Sequence, residues 1–188
     1  MIRIGILGDI GSGKSFVAKN FGYPVFNADK EVEKLYKKNK KIFLKLKKVL
    51  PNFIQSYPIN KSEIIKAILF NKVNLKKIIS IIHVEIRKEM KKFLRNNKKK
   101  KIVILDIPLL LENKINKRGD ILIFVKSKRS EITKRLKKRT NFNKNLFNKF
   151  KKLQLPIDYK MKKSNYIIKN NFTKESVKRN IKHILNNI

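Results

Sequence analysis

Short apolar runs that end at glycine or polar residues predict the strands of a sheet. The first run, Ile2 to Leu7, is rich in isoleucine and stops at a group of glycines, which is typical of a buried parallel strand that enters a tight turn. Later runs of the same character lie at 25–26, 101–106, 120–125 and 166–168.

Apolar positions three and four residues apart predict helices between these runs. One helix is expected after Ser15, and the segment 31–94 has a helical pattern over almost its whole length. That segment is longer than a crossover helix requires, so we expect it to form a lobe of its own. Helical patterns also cover 130–139, 145–155 and the residues after Thr173, a predicted N-cap.

Strands that alternate with helices predict an α/β fold with a mostly parallel sheet. A chain of 188 residues has the length of one ordinary domain and can bury a hydrophobic core. The sequence contains no evident repeat or linker, so we expect a single domain.

The charge of the chain first suggests a phosphate-rich partner. Its 49 Lys and Arg against 13 Asp and Glu give a formal net charge of +36, which favours nucleic acid or an anionic membrane as partner. However, Lys, Ile and Asn, which have A/T-rich codons, together supply 90 of the 188 residues, and only 8 residues are Arg. This composition indicates drift in an A/T-rich genome, so we expect no specific nucleic-acid partner. A nucleic-acid-binding protein remains the alternative from a different functional class.

The cysteine count and the apolar stretches bear on location. The chain has no Cys, which suits a reducing compartment. Nothing at the N-terminus resembles an export signal, and the stretch 102–111 is far shorter than the roughly 20 apolar residues that a membrane helix needs. We therefore expect a cytoplasmic location and no membrane partner. The oligomeric state stays open, and a monomer is compatible with the sequence.

The segment from Gly8 to Ser15 matches the phosphate-loop pattern G-x-x-x-x-G-K-[ST] at every fixed position. It follows a strand and opens a helix, so its backbone N–H groups and the helix N-terminus can face phosphate oxygens. Lys14 can reach the β- and γ-phosphates, and the hydroxyl of Ser15 can bind Mg²⁺. The segment predicts binding of a nucleoside triphosphate, while the acceptor stays open.

The few acidic residues are candidates for chemistry. Asp29 follows the second predicted strand, where it can take a proton from an acceptor hydroxyl; the alternative is a helix N-cap. Asp106 ends an apolar run, as a carboxylate that holds Mg²⁺ directly or through water does; the alternative is a solvated strand end. Asp120 is expected to serve structure, and Glu112 can face the site.

Two arginines and one histidine are further candidates. Arg135 and Arg139 share one helical face and can clamp phosphates in the transition state, although Arg135 also stands four residues after Glu131, at ion-pair spacing. His83 lies in an amphipathic helical pattern. It is either a satisfied, partly buried histidine or a ligand contact.

Taken in order, these motifs resemble the dephospho-coenzyme A kinase family over nearly the full chain. The resemblance rests on the phosphate loop and on segments that follow it with the family's spacing. These are Val25-Phe-Asn-Ala-Asp29, Ile81-Ile-His83, Pro108-Leu-Leu-Leu-Glu112, 120–125, Arg135 with Arg139, Gln154 and Tyr166-Ile-Ile-Lys-Asn170.

The resemblance implies a fold and a reaction. The fold is a P-loop kinase core with a parallel five-stranded sheet flanked by helices, together with a helical acceptor lobe and a helical lid. The core would cover about 1–29, 96–127 and 158–188, the lobe about 30–95 and the lid about 128–157. The reaction is transfer of the ATP γ-phosphoryl group to the ribose 3′-hydroxyl of dephospho-CoA, with Mg²⁺ as cofactor.

The resemblance also implies residue roles. Asp29 would be the base or would orient the hydroxyl, with Lys14 and Arg139 acting on the phosphates. His83 and Lys61 would bind the acceptor together with Asp29. Residues of the ATP site would be Gly11, Ser12, Gly13, Lys14, Ser15 and Phe16, with the metal held by Ser15 and Asp106.

The chain departs from the family pattern at several positions. Asn27 stands where the family's triplet begins with Asp, and Val84 replaces the proline after the histidine. Lys61 stands where an acceptor-binding arginine is expected, and Lys lacks the two-pronged fork of Arg. A nucleoside monophosphate kinase of similar topology is the alternative among enzymes.

Overall fold

The computed structural model describes residues 1–138, 140 and 142–188. Over these residues the contacts divide the chain into two units, each with its own buried apolar side chains. The first, called the core unit, comprises Met1–Asn27, Asn97–Asn143 and Phe147–Ile188. The second, called the helical unit, comprises Ala28–Asn96 and Lys144–Leu146.

A five-stranded parallel sheet forms the centre of the core unit in the described part of the chain, with strand order β2-β3-β1-β4-β5. Each end of a strand lies within one residue of the bound that the apolar runs predict, so the prediction of a parallel α/β sheet is confirmed. The strands are β1 (Ile2–Gly8), β2 (Val25–Asn27), β3 (Ile102–Asp106), β4 (Ile121–Lys126) and β5 (Tyr166–Lys169).

The helices lie between these strands, as the alternating pattern predicts. In chain order they are α1 (Lys14–Asn20), α2 (Ala28–Lys38), α3 (Lys40–Val49), α4 (Lys61–Phe70), α5 (Lys72–Asn96), α6 (Arg129–Lys137), α7 (Lys144–Lys151), α8 (Ile157–Lys162) and α9 (Lys174–Leu185). No helix in the described ranges is both long enough and apolar enough to cross a membrane.

The two faces of the sheet are packed differently. Ile4 and Ile6 point to one face because side chains alternate along a strand, and there they join a buried cluster with residues of α1 and α9. Gly5 points to the other face, where an added Cβ would lie 2.9 Å from the side chains of Leu110 and Leu122. The sheet therefore excludes a larger residue at Gly5, immediately before the phosphate loop.

The register aligns the carboxyl ends of the strands at one edge of the sheet. Gly8 pairs with Val125, and Asn27 pairs with Asp106. Because all strands run parallel, the ends of β1, β2 and β3 share the edge at which open α/β sheets bind ligands.

The helical unit consists mainly of α2 to α5. Asn39 accepts a hydrogen bond from the Ile42 amide and caps α3, while Asn60 does the same for α4 through the Ser62 amide. Its buried residues include Ile42, Phe43, Leu46, Ile64, Ala67, Ile68, Leu75, Ile78, Ile82 and Ile86. The helical pattern over 31–94 is thus confirmed, apart from the turns and irregular backbone between α3 and α4.

The segment predicted as one helix over 145–155 is different in the structure. Helix α7 ends at Lys151, and a separate helix, α8, begins after Pro156. Between them the chain turns, with a hydrogen bond from Leu153 N to Phe150 O at 3.1 Å. The residue before a proline avoids helical backbone, which explains the break. Thr173 precedes α9 as predicted, but its side chain does not cap the helix: the hydroxyl donates to Asn171 Oδ1 at 2.9 Å.

Candidate active site

The loop between β1 and α1 has the geometry of an anion cradle. Gly11 and Gly13 have φ of 84° and 88°, in the region that favours glycine. Gly13 directly precedes α1, so the first amides of that helix face outward without helical partners. Lys14 Nζ donates to the carbonyl oxygens of Gly8 and Asp9 at 3.2 and 2.8 Å. The lysine is therefore held across the loop it belongs to.

The loop is supported from the ends of β4 and β5. The carbonyl oxygen of Ser12 accepts hydrogen bonds from the Ser127 hydroxyl at 2.9 Å and from the Asn170 amide nitrogen at 2.8 Å. Asn170 is 4% exposed and Ser12 1% exposed. Ser127 belongs to no motif that would identify it from the sequence. Asn170 stands out in the sequence only as the last residue of a segment that resembles the family.

Arg135 lies beside this support. Its guanidinium stands over the ring of Phe172, 4.2 Å from the ring centroid. The prediction of an ion pair between Glu131 and Arg135 is wrong: Glu131 pairs with Lys134 instead, at 3.5 Å. Arg139, expected to act on the phosphates, lies outside the described residues.

The two expected metal ligands are joined by one amide. The side-chain nitrogen of Asn27 donates to Asp106 Oδ2 and lies 3.5 Å from Ser15 Oγ. Asp106 is 3% exposed, so its alternative interpretation as a solvated strand end is wrong. Hard oxygen donors of this kind suit Mg²⁺, so the residues present fit that ion.

A metal there would not have a complete protein cage. No group of three or more His, Cys, Asp or Glu among the described residues could hold a metal ion. Mg²⁺ commonly binds through one or two protein oxygens and takes its other ligands from phosphates and water. The pair Ser15 and Asp106 matches that habit.

Two further acids have structural partners. Asp120 forms an ion pair with Arg3 at 3.0 Å, and their side chains are only 4% and 10% exposed, which confirms its expected structural role. Glu112, which the sequence allowed to face the site, instead pairs with buried Lys160 at 3.2 Å and accepts from the Leu155 amide at 3.0 Å. Gln154 Oε1 accepts from the same Lys160 at 3.0 Å.

The expected acceptor residues belong to the helical unit. Asp29 is exposed and is the second residue of α2, so it is not the N-cap of that helix. Lys61 is the exposed first residue of α4. The hydrogen bond and the charge of Lys37 lower the pKa of Glu33, and the charge of Lys61 adds a smaller contribution in the same direction. His83 is half-buried on α5, and burial followed by the positive charge of Arg87 lowers its pKa below the ordinary 6.5.

Fold and site together define a class. A parallel sheet carries a phosphate loop between its central strand and the following helix, with a buried carboxylate at the end of the neighbouring strand. This arrangement is that of the P-loop nucleotide-binding proteins.

Comparisons with known proteins identify the family within this class. The family model for CoaE, dephospho-CoA kinase, matches residues 2–175. A dephospho-CoA kinase of Wolbachia pipientis wMel is 35% identical over 190 residues, which cover 98% of this chain and 97% of that protein. The chain belongs to the dephospho-CoA kinase family.

Solved structures agree with the fold. TT1252 from Thermus thermophilus superimposes with a TM-score of 0.80 at 26% identity, covering 100% of this chain and 97% of that one. A dephospho-CoA kinase from Campylobacter jejuni gives a TM-score of 0.64 at 21% identity, with 98% and 96% covered. The fold class predicted from the resemblance is confirmed.

Proposed function

We propose that this chain transfers the γ-phosphoryl group of ATP to the ribose 3′-hydroxyl of dephospho-CoA, which yields CoA and ADP. The observation that carries the proposal is the family match over residues 2–175, on a chain whose phosphate loop is intact from Gly8 to Ser15. This is the last step of CoA biosynthesis.

The bond changes follow from the reaction type. The 3′-oxygen forms a bond to the γ-phosphorus, the bond from that phosphorus to the β–γ bridging oxygen breaks, and ADP leaves with that oxygen. The hydroxyl proton passes to a carboxylate, for which we propose Asp29, the exposed acid in the first turn of α2. Positioning and charge stabilisation then supply most of the rate enhancement.

The phosphates of ATP would bind the amides of the loop. Gly11, Ser12, Gly13, Lys14, Ser15 and Phe16 form the end of the loop and the first turns of α1. The Lys14 ammonium donates hydrogen bonds to two loop carbonyls, and its side chain is long enough to exchange these carbonyls for phosphate oxygens. Arg139 would add a second cation on the phosphates.

Ser15 and Asp106 would hold Mg²⁺, Asp106 either directly or through a water molecule. When bound, Mg²⁺ neutralises charge on the β- and γ-phosphates. Asn27 donates to Asp106 and so keeps this carboxylate turned toward the end of β2.

The acceptor would bind to the helical lobe, about 30–95, through Lys61 and His83, and to Asp29 just before it. With its lowered pKa, His83 is neutral at pH 7 and can donate or accept a hydrogen bond there. Residues 128–157 would act as a lid, and exclusion of water by lobe and lid would favour the acceptor over hydrolysis of ATP.

One assay tests the proposal. Incubation with ATP, Mg²⁺ and dephospho-CoA is expected to give the 3′-phosphorylated product, identified by mass spectrometry. AMP, CMP and UMP serve as matched acceptors. Phosphorylation of a nucleoside monophosphate without formation of CoA would refute the proposal.

A further inference from the structure

One buried side chain joins the phosphate loop to the segment after β5. To other described residues Asn170 makes three hydrogen bonds: its backbone N–H donates to Lys126 O at 2.8 Å, its Nδ2 donates to Ser12 O at 2.8 Å, and its Oδ1 accepts from the Phe172 amide at 2.9 Å. Because Oδ1 serves Phe172, the amide orientation that leaves Nδ2 for Ser12 is fixed by the network. The carboxamide of Asn170 is thereby held through both its nitrogen and its oxygen.

The neighbouring backbone shows what this arrangement costs. Phe172 has a φ of 66°, which is uncommon for a residue with a bulky side chain and is energetically unfavourable. The surrounding contacts must over-determine such a conformation for it to persist, and it occurs preferentially at functional sites. Here the Asn170 carboxamide accepts the hydrogen bond of the Phe172 amide, and the Arg135 guanidinium covers the Phe172 ring.

The hydrogen bond to Ser12 controls an amide of the loop. A peptide group is planar and trans, so the carbonyl of Ser12 and the N–H of Gly13 point in opposite directions. Asn170 and Ser127 both donate to that carbonyl, and together they turn the Gly13 N–H away from themselves. An added Cβ at Gly13 would overlap the Asn170 amide, so the two residues are packed in direct contact.

We propose that Asn170 is a positioning residue for ATP: its carboxamide fixes the Ser12–Gly13 peptide so that the Gly13 N–H faces the phosphates. This inference rests on the proposed function, because it concerns the same ATP site. Loss of the donor lets the peptide rotate and lowers the fraction of loops competent to bind, so the apparent Kd rises in inverse proportion to that fraction.

The test is the affinity for ATP of Asn170→Asp, measured by isothermal titration calorimetry. This change keeps the acceptor for Phe172 and replaces the donor to Ser12 by a second acceptor. We expect the Kd for ATP to rise about tenfold or more, because the buried Ser12 carbonyl oxygen would then face a carboxylate oxygen and neither can donate a hydrogen bond. At saturating ATP, kcat recovers most of its value while KM for ATP stays raised.

Asn171→Asp is the matched control. It adds the same charge one residue along and keeps both hydrogen bonds that Thr173 donates to Asn171 Oδ1. Its Kd for ATP is expected to stay within about twofold of the wild type. Equal weakening by both variants would attribute the effect to charge and overturn the inference.

Ser127→Ala provides an independent measurement, because Ser127 is half-exposed and its loss leaves no large cavity. It removes the other donor to the same carbonyl and is expected to raise the Kd about two- to fivefold. Ser164→Ala, which removes a hydroxyl donor to the Lys160 carbonyl at the opposite end of β5, is the control and leaves the Kd unchanged. Ser127→Ala decides the matter if Asn170→Asp does not fold. A lower unfolding temperature with an unchanged Kd for ATP would mean a purely structural role.

Failure of this inference differs from failure of the proposed function. If the wild type binds ATP and phosphorylates dephospho-CoA while both donor variants bind ATP equally well, only the role of Asn170 is overturned. If the wild type does not bind ATP, the proposed function fails first.

Discussion

At the scale of single residues, Lys14 offers the most direct test of the phosphate loop. Its ammonium donates to Gly8 O and Asp9 O, and under the proposed function phosphate oxygens of ATP would replace those carbonyls. Lys14→Met is expected to lower kcat/KM about 10²- to 10³-fold, since it removes a cation aimed at developing charge. Lys19→Met, on an exposed position of α1, is the control and should change steady-state kinetics little. Full activity of Lys14→Met would refute its role.

Asp29 tests the proposed proton acceptor. Asp29→Asn keeps the shape of the side chain but cannot accept the proton, so turnover should fall about 10²- to 10⁴-fold. Binding of ATP, followed by calorimetry, should change by less than about twofold, because a base acts on the acceptor alone. Glu31→Gln in the same first turn, where Glu31 pairs with Lys34 at 2.7 Å, is the matched control. Unchanged turnover of Asp29→Asn would remove Asp29 from the mechanism.

His83 predicts a dependence of stability on pH. Burial and the charge of Arg87 lower its pKa in the folded state, so the unfolded chain binds more protons when the pH falls below the ordinary 6.5. Stability is therefore lost as the pH decreases from 7 towards 5, and His83→Gln should lose less. Urea unfolding at several pH values measures this difference. His183→Gln, exposed on α9, should follow the wild type; if His83→Gln does too, the assignment is wrong.

The phosphate loop could be predicted from the sequence because its determinants are contiguous. Gly11, Gly13, Lys14 and Ser15 act through local backbone geometry, which a short motif encodes. Asn170 could not be predicted as its support, since it lies 158 positions from Ser12 and meets it only through the order of the strands. The contact between Asn27 and Asp106, 79 positions apart, depends on sheet register in the same way.

At the scale of elements, α8 is joined to the turn after β3 by a buried ion pair. Lys160 is 1% exposed and pairs with Glu112, so removing the ammonium leaves a buried carboxylate with one fewer partner. Lys160→Met is expected to lower the free energy of unfolding by about 3–5 kcal/mol, measured by denaturant titration. Lys134→Met breaks the exposed pair with Glu131 and should cost less than about 1 kcal/mol. Equal costs for the two variants would show that the buried pair does not stabilise the fold.

The elements themselves could be predicted wherever periodicity is strong. The strands and the long helices α5 and α9 have apolar positions at a single clear spacing. The region of α7 and α8 could not be resolved in this way, because both helices are short, and Pro156 and the turns before it interrupt a pattern that looks continuous. The Thr173 hydroxyl shows a similar limit, because Asn171 competes for it.

At the scale of the whole molecule, the net charge of +36 predicts an unusual response to salt. Like charges repel in the folded state, and salt screens them as the Debye length falls from about 20 Å at about 0.02 M to about 6 Å at about 0.3 M. The unfolding temperature should therefore rise with NaCl over this range. Lys14→Met should retain the rise, because screening does not require the phosphate loop. A constant or falling unfolding temperature would contradict this account.

The central position of β1 also determines when the phosphate loop can form during synthesis. β1 pairs with β3 and β4, about a hundred residues further along, whereas most of the helical unit lies within the intervening segment Ala28–Asn96. Contacts of low sequence separation form early, while pairing of distant strands must wait for both partners. A nascent chain can thus carry the complete motif from Gly8 to Ser15 long before β3 and β4, the partners of β1, have been synthesised. Under the proposed role of Asn170, the ability to hold a nucleotide is among the last properties to mature, after residue 170 has emerged from the ribosome and reached Ser12.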